Sequence, residues 1–139
     1  MRYLSIDPGT KRTGLAIGDD ATSIVTPVGV IETTNPRQRL TLLKRAIQQE
    51  QPGMLVMGLP LNMDGSEGPA AKRSRLLAKQ IEAQLGLTVK LVDERLTSVA
   101  AQDRLRDRGL TRKAKKARHD ALAAAIILED YLAAKRSSP

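Results

Sequence analysis

The sequence contains no cysteine, which excludes a disulfide framework and any thiolate metal site. It has no phenylalanine or tryptophan and only two tyrosines, so its core must be aliphatic. Aromatic platforms that stack bases, as single-strand-binding proteins use, are therefore not expected. No stretch approaches the length of about 18 apolar residues that spans a membrane, and the N-terminus has no apolar targeting region. We therefore expect a soluble, cytoplasmic protein whose metal ligands would be oxygen atoms.

Positive charge is in clear excess. Lysine and arginine number 23 against 15 acidic residues, which gives a formal net charge of +8 and a pI near 10.2. Long-range attraction to polyanions follows from such a surplus, and nucleic acid is the leading partner. The length of 139 residues is that of one ordinary domain, so we expect a single domain over residues 1–139.

The alternation and spacing of apolar residues predict an α/β fold. Three strands on short connections form an antiparallel meander, and two later strands follow helices and should run parallel to the first strand. After a first strand that ends at Asp7, the predicted strands are 13–18, 24–32, 54–58 and 87–92, and the predicted helices are 36–50, 69–85, 99–108 and 119–134. A polar tail is expected after residue 134.

The turn after the first strand has the sequence Asp7-Pro8-Gly9-Thr10-Lys11. Pro8 presets φ for a tight turn, and Gly9 is expected to supply a positive φ. Asp7 either only starts this turn or is a carboxylate fixed at the rim of the sheet. Lys11 could contact a phosphate, although a solvated lysine explains it equally well.

Acidic residues follow all three strands that should run parallel. Asp7 ends the first, Asp64 lies in the loop after the fourth, and Asp93 and Glu94 end the fifth. Parallel strands share one carboxyl edge, where α/β proteins bind ligands. Asp120 lies near the start of the last helix, whose dipole favours its ionised form. Such carboxylates suit Mg²⁺ or Mn²⁺. The alternatives are a turn at Asp64, an exposed pair at Asp93 and Glu94, and a helix-terminal acid at Asp120.

A strongly basic run lies before the last helix. Eight basic residues stand between positions 104 and 118, with Asp107 the single acid among them. This run would grip phosphates with little sequence preference, or would form a solvated loop. The residues that we expect to contact nucleic acid are Lys11, Arg95, Arg112, Lys113, Lys115, Lys116 and Arg118.

Four motifs in this order resemble the YqgF/RuvX family of RuvC-like, RNase H-fold proteins, which act as Holliday junction resolvases or nucleases of pre-ribosomal RNA. The motifs are residues 7–14, residues 58–65, residues 93–97, and Asp120 with residues 124–129. The resemblance covers essentially the whole chain. It implies an RNase H-like mixed five-stranded sheet with helices on both faces.

The same resemblance implies a site in which Asp7, Glu94 and Asp120 are both the catalytic residues and the ligands of Mg²⁺ or Mn²⁺. Asp7 would bridge two ions in the hydrolysis of a phosphodiester bond. Processing of the pre-16S rRNA end is the first interpretation, and Holliday junction resolution, which would favour a homodimer, is the alternative. A non-catalytic RNA-binding assembly factor is the third.

One position departs from the wider RuvC pattern. Those resolvases carry a glutamate at the end of the fourth strand, where this chain has Gly58. Either Glu94 supplies that ligand from the neighbouring strand, or the metal site is incomplete. An ATPase of the actin or hexokinase type is disfavoured, because that architecture needs two RNase H-like halves and this chain has the length of one.

Overall fold

The computed structural model describes residues 1–94 and 112–137. Five strands and three helices follow one another in the order βββαβαβα. They are β1 (Arg2–Asp7), β2 (Arg12–Asp19), β3 (Val25–Glu32), α1 (Pro36–Glu50), β4 (Met54–Leu59), α2 (Pro69–Leu85), β5 (Val89–Asp93) and α3 (Arg112–Ser137). The helix predicted over 99–108 and the predicted contact residue Arg95 lie outside the described residues.

The strands form one mixed sheet in the order β3-β2-β1-β4-β5. The β1–β2 and β2–β3 pairs are antiparallel, whereas β1–β4 and β4–β5 are parallel. The predicted topology is thus confirmed. It brings the carboxyl ends of β1, β4 and β5 to one edge, with β4 between the other two strands.

The two faces of the sheet are covered by different helices. Leu4 and Ile6 pack with α1 and α2 through side chains such as Leu43 and Ile81, and we call this side the α1/α2 face. Tyr3 packs with residues of α3, and this opposite side is the α3 face. Helices on both faces and a largely aliphatic core agree with the predictions.

Helix α3 is longer than predicted. It begins at Arg112, within the basic run for which a solvated loop was one interpretation. It ends at Ser137, within the segment expected to form a polar tail. The prediction of 119–134 was therefore wrong at both ends. The added segments are rich in alanine, lysine and arginine, which form helices readily without an apolar repeat to reveal them. The basic residues 112–118 consequently belong to a helix.

The role predicted for Gly9 was also wrong. Among the described glycines, positive φ angles occur at Gly65 and Gly86, and not at Gly9. A Cβ atom at Gly9 would collide with the backbone carbonyl oxygen of Arg12, so the turn needs glycine because the chain approaches itself closely there. Of the helices in the described ranges, none is both long and apolar enough to cross a membrane.

Candidate active site

Asp7 and Glu94 come together at the carboxyl edge of the sheet. Asp7 ends β1, and Glu94 directly follows β5, two strands away. Their carboxyl groups are nevertheless hydrogen-bonded to each other across β4. The structure therefore brings together two of the three acids that the sequence singled out.

The alternation of β5 explains why Glu94, and not Asp93, reaches Asp7. Leu91 packs on the α1/α2 face, whereas Val92 packs on the α3 face. Because successive side chains of a strand point to opposite faces, Glu94 continues the side of Val92 and Asp93 that of Leu91. Asp7 lies on the α3 face by the same alternation from Tyr3.

Gly58 makes room for the Glu94 side chain. An ideal Cβ atom built on Gly58 would lie 2.5 Å from Cδ of Glu94 and 2.7 Å from its Cγ, distances too short for any real contact. The glutamate side chain therefore occupies the space into which a side chain at position 58 would project. Of the two interpretations of the missing strand-four glutamate, this geometry favours the one in which Glu94 takes its place.

The environment of Glu94 strongly favours its protonated form. Burial, the hydrogen bond with Asp7 and the negative charges of Asp7 and Asp93 raise the pKa of Glu94 to about 10. At neutral pH, the Glu94 hydroxyl therefore donates to the Asp7 carboxylate. A divalent cation bound by these oxygens would replace that proton, because metal ligands must be deprotonated. The pair fits Mg²⁺ or Mn²⁺ on the chemistry of its donors.

Asp120 lies in α3, and its side chain is outside the described part of the structure. Helix α3 runs antiparallel to β1, because Lys135 bonds to the hydroxyl of Tyr3 while the hydroxyl of Ser5 donates to the carbonyl of Ala124 at 2.6 Å. Residue 120 precedes Ala124 by about 6 Å along the helix. Asp7 follows Ser5 by about 6.5 Å along the strand. The backbone of residue 120 is thus level with Asp7.

No group of three acidic or histidine side chains suited to a metal ion occurs among the residues with described side chains. Asp64 forms a turn, because its Oδ1 accepts hydrogen bonds from the Ser66 amide at 2.9 Å and the Ser66 hydroxyl at 2.6 Å. This agrees with the interpretation of Asp64 as a turn residue rather than a metal ligand.

The predicted nucleic-acid contacts are described only in part. Lys11 is exposed in the turn between β1 and β2, and its backbone carbonyl accepts a hydrogen bond from Thr33 at 2.9 Å. Five others lie in the first part of α3, where the structure describes the backbone but not the side chains. They are Arg112, Lys113, Lys115, Lys116 and Arg118.

Arg39 was not foreseen from the sequence. Its Nη2 atom donates to the backbone carbonyls of Thr10 at 2.6 Å and Thr33 at 3.0 Å, so it ties α1 to the turn that follows Asp7. The apolar period of α1 carries no signal for such a contact, because the acceptors are backbone atoms from other elements.

Comparison with known proteins gives concordant matches. The sequence model of a family described as "RuvX: Holliday junction resolvase" matches residues 1–134. A protein of Anaeromyxobacter sp. is 39% identical over 95% of this chain and 96% of its own length. One of Maridesulfovibrio salexigens is 42% identical over 96% and 98%. Both bear the provisional name pre-16S rRNA nuclease. The structure of T. thermophilus RuvC with a Holliday junction substrate superposes with a TM-score of 0.62 at 16% identity, covering 99% of this chain and 96% of that one.

Proposed function

The chain belongs to the RuvX family, and from this premise we propose that it is a metal-dependent nuclease that hydrolyses phosphodiester bonds in structured nucleic acid. The proposed substrate is the end of the pre-16S rRNA, after the name that its relatives carry. The observation on which the proposal rests is the contact between the carboxyl groups of Asp7 and Glu94. Two carboxyl groups held together and partly buried need either a proton or a cation between them.

Asp7, Glu94 and Asp120 are proposed as the metal ligands and catalytic residues. The first two meet on the α3 face, and the backbone of residue 120 is level with Asp7 on the helix that covers this face. This placement supports a third carboxylate at the same point. Mg²⁺ or Mn²⁺, when bound, supplies an activated water and stabilises the charge on the leaving oxygen.

The residues of this chain prepare the site in two ways. Gly58 leaves the space that the Glu94 side chain fills, and so sets the position of that carboxyl group over β4. Asp7 is fixed by its place at the end of a paired strand and by the turn that Arg39 holds. Glu94 must release its proton before it can act as a ligand, so binding of the ion and deprotonation of Glu94 are one event.

Binding of the nucleic acid is proposed to involve Lys11, Arg95 and the basic residues 112–118 of α3. Contacts of this kind are made to phosphates, so affinity should fall as salt rises and depend little on sequence. We include a cytoplasmic location in the proposal, as expected for processing of ribosomal RNA.

The test compares cleavage of a pre-16S rRNA fragment and of a four-way DNA junction, each with Mg²⁺ or Mn²⁺. Asp7→Asn and Asp120→Asn should abolish cleavage and retain binding. Asp64→Asn is the matched control, since an asparagine side chain can keep the turn, and it should cleave like the wild type.

Equal cleavage by the wild type and the two site variants would exclude this metal site. Cleavage of the DNA junction alone would favour the resolvase, to which the description of the family model points. Binding of RNA without cleavage by any variant would leave an assembly factor.

A further inference from the structure

A cavity of about 540 Å³ lies beside the Asp7 turn, between α1 and α2. Pro8 and Gly9 of the turn form one side, and α2 forms another through residues that include Arg73 and Leu77. Ligand cavities usually measure about 300–1,000 Å³, so this one can hold a molecule of the size of a nucleotide. Pro8 directly follows Asp7, whose carboxyl group lies on the α3 face, so the cavity and the Asp7–Glu94 pair lie at the same carboxyl edge on opposite faces of the sheet.

The walls combine apolar surface with positive charge. Pro36, Pro60 and Leu77 contribute apolar area, and none of the described residues that line the cavity is acidic. Arg39 and Arg73 both line it, and neither forms an ion pair with a carboxylate in the described ranges. An anionic ligand with an apolar part is the chemistry that complements such walls.

Arg39 supplies a second observation. While its Nη2 donates to two backbone carbonyls, its Nε is buried and has no hydrogen-bond partner among the described residues. A buried donor without a partner costs free energy. A ligand in the cavity would meet the charge of the Arg39 guanidinium, and not this enclosed Nε atom.

We propose that this cavity binds one nucleotide of the substrate strand, adjacent to the phosphate that the Asp7–Glu94 pair would attack. Its base would lie against Leu77 and the neighbouring prolines, and Arg73 would pair with its phosphate. A base can reach such a cavity only when it is unpaired, because a single-stranded segment can splay its bases outward. The cavity thus selects substrates with an unpaired nucleotide next to the cut. This rests on the proposed nuclease function for its relation to cleavage.

The experiment measures binding without catalysis. Adenosine monophosphate and, separately, inorganic phosphate are titrated into the full chain in EDTA, and the amide resonances of Gly9, Thr10 and Leu77 are followed by NMR. The nucleotide should shift these resonances. Arg73→Gln should weaken its binding about fivefold, as for one exposed charge pair. Arg45→Gln, an exposed arginine of α1 outside the cavity, should leave binding unchanged.

Ala70→Leu adds bulk to the cavity wall and should abolish binding of the nucleotide. Shifts confined to residues outside the cavity, equal binding by the Arg73 and Arg45 variants, or equal affinity for phosphate and nucleotide would each overturn the proposal. Failure of the nuclease function would appear differently, as binding of the nucleotide by a protein that cleaves no substrate. If cleavage occurs, Arg73→Gln should also reduce it more for a substrate with an unpaired flanking nucleotide than for a fully paired one.

Discussion

Replacement of Glu94 by glutamine should stabilise the metal-free protein at neutral pH. Burial and contact with Asp7 raise the pKa of Glu94 from 4.5 to about 10, so the folded state binds a proton that the unfolded state has released. Stability must then fall as pH rises between these two values. Glutamine carries no titrating group and should remove this dependence while keeping the size of the side chain.

The magnitude follows from the pKa. Between pH 4.5 and pH 7, this difference in proton binding lowers the free energy of unfolding by about 3.4 kcal/mol, at about 1.36 kcal/mol per pH unit. Some of this is lost because the Glu94 side chain is only half-buried and because glutamine replaces its hydrogen bond imperfectly. We expect a gain of about 1–2 kcal/mol in the free energy of unfolding at pH 7, and almost none at pH 4.

Urea denaturation in EDTA from pH 4 to pH 9 measures this gain. Glu32→Gln is the control, because Glu32 is exposed on the edge strand β3, 3.7 Å from Arg12, and should change stability little. Addition of Mg²⁺ should stabilise the wild type and reverse the order of the two proteins. A glutamine variant that is less stable at pH 7, or that keeps the pH dependence of the wild type, would refute the reasoning.

Three further predictions concern the same edge of the sheet and the basic helix. Gly58→Ala should displace the Glu94 carboxyl group and lower kcat about 100-fold. Gly29→Ala is the control, because that glycine has open space around it, and it should leave kcat unchanged. Cleavage assays and unfolding curves compare the two variants. Binding of Mg²⁺ at pH 7 should release about one proton, so titration calorimetry in buffers of different ionisation enthalpy should give different heats, and identical heats would contradict it. Replacing Lys115 and Lys116 together by glutamine should reduce the slope of log affinity against log salt by about 2, and an unchanged slope in filter binding would show that these two lysines do not contact phosphates.

Local signals predicted the elements that local interactions define. Helix α1 begins at Pro36 and ends at Glu50 as expected, because the Asn35 side chain accepts from the amides of Arg37 and Gln38 and proline suits the first turn. Helix α2 ends as expected before Gly86, whose φ is 69°. Both sets of signals lie within a few residues of the boundary that they specify.

The residues alone could not decide between Asp93 and Glu94, although the resemblance to the family implied Glu94. Both stand at the end of β5, which was predicted to end at residue 92 and in fact includes Asp93. Only the packing of Leu91 and Val92 on opposite faces shows which acid shares the face of Asp7. That packing depends on contacts with helices far away in the sequence. The roles of Asp7, Glu94 and Asp120 as ligands stay predictions.

The relation between Gly58 and Glu94 could likewise come only from the order of the strands. Because β4 lies between β1 and β5, a carboxyl group can reach Asp7 either from the end of β4 or from just beyond β5. The two origins compete for one space, since a Cβ atom at residue 58 would overlap the Glu94 side chain. If the metal site that we propose is present, it requires a carboxylate at that point, and not a glutamate at a fixed place in the sequence. On that proposal, Glu94 would supply the carboxylate from the neighbouring strand, and the absence of a glutamate from β4 would not by itself make the site incomplete.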